Sequence, residues 1–258
     1  MPRIMPIALI LGLAAGLLVG GFHFFFTVPV IEQAIALEEE HAAAEAKAQG
    51  MAMEEEPPLV SLGAQSIGLV VGATLLGLVV GLVYTGGFHL LRRAFPAWKP
   101  LAVGLGTGLL GFWAFSLFPF FKYPLNPPGV GDPGTLVFRQ SFQTALFLLS
   151  AAGVAGLLFG WEQVNRRVLE PRRNQFYLLL VAGYAVLLAV LYVALPNNPD
   201  PVNTSPELLQ KFRTLSVVGH FLLWLLLGLG VGLVVRWYMR TPAPTAASPG
   251  GQGVQPAR

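Results

Sequence analysis

The chain has 258 residues, of which 54% are apolar and only 11% are charged. Soluble globular domains carry about 25% charged residues, so this composition excludes a soluble globular protein and indicates an integral membrane protein. A net charge of +3 on such a chain reflects the placement of its loops, and no nucleic-acid partner is expected. Because the chain has no cysteine, disulfides, thiolate metal sites and cysteine nucleophiles are excluded.

Six stretches between charged side chains are long enough to cross a bilayer. An α-helix needs about 20 residues to span roughly 30 Å of hydrocarbon. The sequence therefore predicts an all-α fold, a polytopic membrane helix bundle that forms one transmembrane domain over residues 1–240. Its six transmembrane helices are expected at about 4–31, 67–91, 100–121, 140–161, 174–195 and 214–235.

The basic residues indicate the orientation of the chain. If the N-terminus is cytoplasmic, the cytoplasmic segments hold eleven Lys and Arg residues and the outer loops hold five. Because Lys and Arg are retained on the cytoplasmic side of short loops, both termini are expected there. Residues 241–258 are rich in Pro, Gly, Ala and Ser and are predicted to form a disordered cytoplasmic tail.

Repeated patterns suggest three helix hairpins in the same orientation. Pro124-Leu-Asn-Pro-Pro resembles Pro196-Asn-Asn-Pro, and Phe138-Arg139 resembles Phe212-Arg213 where the following helix begins. The alternative is that Gly-rich helices ending in arginine simply look alike.

Glycines at four-residue spacing are expected to let helix backbones pack closely. They are Gly12, Gly16 and Gly20; Gly68 and Gly72; Gly77 and Gly81; Gly104 and Gly108; Gly156 and Gly160; and Gly228 and Gly232.

Two histidines are predicted to lie at the same depth in the membrane. His23 is about six residues past the middle of the first span, and His220 is about five residues before the middle of the last. Both should therefore lie roughly 7 to 9 Å above the midplane, on the outer side. A neutral imidazole is a good ligand for cobalt, nickel, copper or zinc. Three interpretations stay open: an interhelical hydrogen bond, a metal pathway, and axial ligation of a haem.

The outer loop at residues 32–58 concentrates negative charge. It holds eight glutamates, beginning with Glu32, and the single histidine His41. Such a loop would raise the local concentration of divalent cations outside a pore, with Glu32 and His41 as candidate ligands. An equally good interpretation of residues 32–49, which are rich in Ala and Glu, is a solvated helical extension.

A proline-rich segment at residues 122–133 predicts a rigid turn at the outer face. Its four prolines and two glycines exclude a helix. Asn126 and Asp132 offer oxygen ligands for a metal, and Arg139 at the next helix start is expected to pair with Asp132. Arg213 repeats the position of Arg139 in the last hairpin, and a structural ion pair or headgroup contact is the default role of both. The turn is shaped by Pro127, Pro128 and Gly129.

Three segments carry a resemblance to a known family. They are Thr27-Val-Pro-Val-Ile-Glu32, the outer turn 122–133 with Arg139, and Ser205-Pro-Glu-Leu208 leading through Phe212-Arg213 into the last helix. With these segments the chain resembles the CbtA family of cobalt transporter subunits. The resemblance implies cobalt uptake linked to cobalamin synthesis in the bacterial inner membrane, with a small single-helix partner, CbtB. Cobalt, or nickel, would be the transported ion, and no tightly bound cofactor is expected.

The sequence does not favour an enzyme. It has no Walker loop, no GxSxG, no HExxH and no dinucleotide fingerprint, and no soluble stretch is long enough to build such a site. Two alternatives to an importer stay open. One is a non-transporting membrane scaffold or accessory subunit, and the other is a haem-binding membrane redox subunit.

Overall fold

The computed structural model describes residues 4–50, 60–128, 130–198 and 204–240. Six of its helices are long and apolar enough to span a membrane, which confirms the predicted helix bundle. The predicted tail at residues 241–258 and Gly129 lie outside the described residues. The helices are α1 (Ile4–Ala48), α2 (Leu62–Ala94), α3 (Pro100–Lys122), α4 (Leu136–Arg167), α5 (Arg173–Ala194) and α6 (Pro206–Arg240).

Most of the helices continue past the predicted spans. An apolar stretch ends at the membrane surface, whereas a helix continues into water as long as its residues favour it. The largest case is α1, in which the Ala- and Glu-rich segment is helical as far as Ala48. The side chains of Glu38 to Glu40 and of Glu45 on this segment are exposed or half-exposed. The predicted helical extension is therefore confirmed.

One π-helical turn interrupts each of α1 and α3. The turns are His23–Thr27 and Trp113–Leu117, and a proline lies six residues after the first residue of each, at Pro29 and Pro119. Proline has no N–H, and its ring clashes with the carbonyl four residues earlier, so the regular α-helical pattern cannot continue through it. A wider turn, in which Val28 N–H donates to His23 O, accommodates the proline. The three-hairpin repeat itself stays a prediction.

Glycine contacts bring two pairs of helices together. A Cβ atom at Gly12 of α1 would lie 2.3 Å from Gly77 O of α2, and one at Gly104 of α3 would lie 2.5 Å from Gly228 O of α6. These distances are shorter than any real Cβ contact, so the packing prediction is confirmed for these glycines. It is wrong, within the described chain, for three positions that have no neighbour within 4 Å: Gly68, Gly72 and Gly156.

Candidate metal site

The structure brings His23 and His220 into one layer. His23 opens the π turn of α1, and its ring lies against α6, where a Cβ atom at Gly219 would be 2.2 Å from His23 Nε2. His220 is the next residue along α6, so the two histidines are neighbours across the interface of α1 and α6. Their depth in the membrane stays a prediction.

Each of these imidazoles is held by a hydroxyl group through Nδ1. His23 Nδ1 lies 2.8 Å from Thr27 Oγ1, within the same π turn. His220 Nδ1 lies 3.0 Å from Ser116 Oγ, which belongs to the π turn of α3. When Nδ1–H donates to the hydroxyl oxygen, Nε2 keeps a lone pair that can bind a metal. At His23 this nitrogen packs against Gly219 of α6, so the ring would have to turn before it could bind. Partners of this kind fix the ring orientation and tautomer of metal-binding histidines.

The sequence analysis missed Thr27 and Ser116. The signal that could have identified them was the pair of prolines inside apolar spans, Pro29 and Pro119, because proline predicts an irregular turn just before it. The bond from His220 to Ser116 crosses from α6 to α3, as the interhelical hydrogen-bond interpretation expects. Since that bond uses Nδ1 only, it is equally compatible with a metal bound at Nε2.

A small cavity lies beside His220. Its volume is 30 Å³, which is enough to hold at least one water molecule. The polar groups on its wall include the hydroxyls of Ser116 and Ser216 and the amide of Gln143. We call it the histidine cavity. Its other walls are mainly aromatic and aliphatic side chains.

A larger cleft, which we call the outer cleft, opens above this cavity at the end of the bundle that is predicted to face outward. It has a volume of 670 Å³, and the outer turn, Glu38, Arg139, Gln140 and Asn198 contribute to its wall. Three side chains line both the outer cleft and the histidine cavity: Tyr123, Leu125 and Gln143. The cleft and the histidine cavity therefore adjoin at these three side chains, which we call the neck.

Arg213 fixes the shape of the outer turn from α6. Its Nε donates to Leu125 O at 3.1 Å, and its Nη2 donates to Asn126 Oδ1 at 2.8 Å. Below the turn, the buried Tyr123 hydroxyl donates to Pro196 O at 2.5 Å, and burial raises the pKa of Tyr123. Pro127 is fully buried, while Pro128 is exposed. The amide oxygen predicted as a metal ligand at Asn126 is therefore engaged by Arg213.

Asp132 and Arg139 are in contact, but through the main chain of Asp132. Arg139 Nη2 donates to the backbone oxygen of Asp132 at 3.3 Å. The Asp132 carboxylate instead accepts from Gly134 N at 2.7 Å, in a short-range turn typical of aspartate. Asp132 is exposed, so its carboxylate remains open to solvent.

The predicted ligands do not form a single metal centre. Within the described ranges, no group of three His, Asp or Glu side chains is close enough to hold a metal ion. Glu32 and His41 are exposed on the extension of α1, and Glu38 is the acidic residue of that extension that lines the outer cleft. The polar groups are thus arranged in sequence from the cleft through the neck to His220, while His23 packs against Gly219 and does not line the cavity.

Comparison with protein families gives one match, over residues 1–236, to the family described as probable cobalt transporter subunit (CbtA). The match covers nearly the whole chain and includes most of each of the six helices. Comparison with the curated proteins and with the solved structures gave no match.

Proposed function

Because the chain belongs to the CbtA family of probable cobalt transporter subunits, we propose that it is the membrane subunit of a system that imports divalent cobalt for cobalamin synthesis. Nickel, which has the same charge and also binds imidazole well, is the second ion such a route would carry. The chain would lie in the bacterial inner membrane with both termini in the cytoplasm. A small single-helix CbtB-like subunit would be its partner, and the metal would be cargo.

The observation that carries this proposal is that the outer cleft and the histidine cavity adjoin at the neck, and that the cavity is lined by His220. The exposed glutamates on the extension of α1 would attract divalent cations toward the cleft. Within the cleft the charge of Arg139 offsets that of Glu38, so the attraction comes mainly from the extension. At the histidine layer, His23 and His220 would exchange water ligands of the ion for imidazole nitrogens.

Below the histidine layer the path is closed by aromatic side chains. The rings of Phe115 and Trp224 are stacked with their centroids 5.7 Å apart. The Trp224 ring rests on Gly111, where a Cβ atom would lie 2.1 Å from it. Beneath them is an apolar cavity of 300 Å³ that Tyr84 and Thr107 help to line. In an importer, this arrangement would be the outward-facing state, and release would require these rings to move.

The membrane potential is sufficient to drive inward movement of a divalent cation. A single charge gains about 2.3 kcal/mol per 100 mV, and a divalent ion gains twice that amount. No nucleotide-binding motif is present in the sequence, so the chain itself supplies no site for ATP.

The test is the cobalt and nickel content of cells, measured by elemental mass spectrometry. Cells would express this chain alone, this chain with its small partner, or neither. We expect cobalt to accumulate over nickel, and His23→Ala and His220→Ala to reduce accumulation at least about tenfold. His89→Ala is the matched control, because His89 is exposed near the cytoplasmic end of α2 and does not line the histidine cavity.

Two outcomes would contradict the proposal. If neither metal accumulates even with the partner present, the chain is a non-transporting scaffold or accessory subunit. If the purified protein shows a Soret absorption band, His23 and His220 serve as haem ligands and the metal route is wrong.

A further inference from the structure

The neck has one polar side-chain group that is free to face an ion. The Tyr123 hydroxyl is already used, since it donates to Pro196 O. Leu125 contributes a hydrocarbon side chain, and its carbonyl oxygen accepts from Arg213 Nε. Gln143 of α4 is the third residue shared by the cleft and the histidine cavity.

The amide of Gln143 has no hydrogen-bond partner in the part of the bundle that the structure describes. Among the described residues, no hydrogen bond is made by the Gln143 side chain, which is half-buried within a membrane-spanning helix. An amide inside hydrocarbon costs several kcal/mol unless its polar atoms are satisfied. Because Gln143 lines both cavities, a water molecule or an ion in the neck is available to satisfy it.

An ion that binds in the histidine cavity has to exchange water ligands for ligands of the protein. The wall of the cavity is mainly aromatic and aliphatic, so few of its side chains can replace a water. Ligand exchange is therefore expected to begin at the neck, where the polar cleft meets the cavity. Each water that leaves a divalent cation has to be replaced by another oxygen or nitrogen ligand, or the cost of removing it is not recovered.

We infer that Gln143 Oε1 is the first intramembrane ligand of the transported cation, and that it replaces a water ligand as the ion passes from the outer cleft to the histidine cavity. This inference rests on the proposed function. An amide oxygen suits the step because divalent cations accept amide and carboxylate oxygens alike as ligands. The hydroxyls of Ser116 and Ser216 and the His220 ring then line the cavity that receives the ion.

The first experiment compares cobalt accumulation in cells that express the full chain with its partner. Gln143→Leu removes the ligand oxygen at similar volume, and we expect it to lower the initial rate at least about tenfold. Gln143→Glu keeps an oxygen at the same reach, and we expect it to retain at least about half of the wild-type rate. Thr144→Val is the matched control, since Thr144 follows Gln143 on α4, is exposed and lines neither the outer cleft nor the histidine cavity. Its rate should stay within about twofold of wild type.

The results separate this inference from the proposed function. If Gln143→Leu accumulates cobalt like wild type while His220→Ala does not, the role of Gln143 is wrong and the importer proposal stands. The same conclusion follows if Gln143→Glu fails together with Gln143→Leu although both proteins are present in the membrane at wild-type levels. If the wild-type chain does not accumulate cobalt, the proposed function fails, and this inference fails with it.

The second experiment uses the absence of cysteine from the chain. Gln143→Cys and Leu148→Cys each give a protein with a single thiol, and a membrane-impermeant thiosulfonate reagent is added from the outer side. We expect Gln143→Cys to be modified, because the neck opens to the outer cleft. Leu148 is 55% exposed on the outside of the bundle, where lipid prevents the thiolate from forming, so Leu148→Cys should not react. Failure of Gln143→Cys to react would show that the neck is not reached from outside and would overturn the inference.

Discussion

The imidazole of His23 occupies the space that a side chain at position 219 would need. A Cβ atom on Gly219 would lie 2.2 Å from His23 Nε2 and 2.4 Å from Cε1. His23 is thus placed from two directions, by its Nδ1 bond to Thr27 and by contact with α6. Since His220 follows Gly219 directly, the same contact fixes the spacing of the two histidines.

Gly219→Ala should disturb the histidine layer while leaving the stability of the bundle nearly unchanged. The atoms in the way belong to the end of the His23 side chain, so the ring would shift and the helices would stay packed. We expect cobalt accumulation to fall about tenfold. The thermal midpoint should change by only a few degrees. Gly156→Ala is the matched control, because no atom lies within 4 Å of a Cβ atom there. Equal accumulation by the two variants would show that the position of His23 is unimportant.

The hydroxyl partners of the histidines should contribute to metal affinity. Thr27→Val and Ser116→Ala remove the oxygens near His23 Nδ1 and His220 Nδ1 with little change in volume. We expect each to weaken cobalt binding by about 10- to 100-fold, because the ring loses the partner that fixes its tautomer. Titration calorimetry on the purified protein measures the change, with Thr144→Val on the exposed face of α4 as control. Unchanged affinity would mean that these bonds serve packing only.

Much of the architecture follows directly from the sequence. Hydrophobic stretches give the six helices because the bilayer sets the length that each must have. Counting residues predicted one layer for His23 and His220, because an α-helix has a fixed rise per residue, and the structure places the two beside each other. The packing of Gly12 on Gly77 was predicted as a type of contact, although the sequence did not identify which glycines would face a neighbour.

The remainder of the site depends on how each helix is rotated about its own axis, and counting residues along a span does not reveal this rotation. Gln140 and Gln143 are the same residue type and lie about one turn apart on α4. Gln143 lines the histidine cavity, whereas Gln140 lines only the outer cleft. The two π turns also change the direction of the side chains that follow them. Residue spacing therefore could not show that Ser116 would contact His220.

The outer turn should depend on the forked geometry of Arg213. Its guanidinium holds Leu125 O and Asn126 Oδ1 at the same time, and lysine cannot reproduce two such bonds from one planar group. We expect Arg213→Lys to lower the free energy of unfolding by about 1 to 3 kcal/mol. A double-mutant cycle with Asn126→Ala, measured by thermal unfolding in detergent, isolates the interaction between the Arg213 and Asn126 side chains. Lys211→Arg, at an exposed position on α6, is the control. Additive effects of Arg213→Lys and Asn126→Ala would contradict a direct coupling.

The buried Tyr123 should make the stability of the outer turn sensitive to high pH. Burial raises the pKa of this phenol above its ordinary value of 10.0, because the charged form is poorly solvated. In the unfolded chain the phenol ionises near the ordinary value, so the contribution of the neutral phenol is complete below about pH 10. It is lost as the pH rises from there through the folded-state pKa. Thermal midpoints of the wild type and of Tyr123→Phe, measured between about pH 8 and pH 11, test this.

The test compares how the thermal midpoints of the wild type and of Tyr123→Phe change with pH. Tyr123→Phe also removes the hydrogen bond to Pro196 O, which lowers the midpoint by a constant amount wherever the phenol is neutral. Lysine deprotonation affects both proteins equally. The difference between the two midpoints should therefore be constant below about pH 10 and should narrow above it, as the wild type loses the contribution of Tyr123. A difference that stays constant to about pH 11 would show that Tyr123 is solvated in the folded protein, and that the neck is wider than its buried phenol indicates.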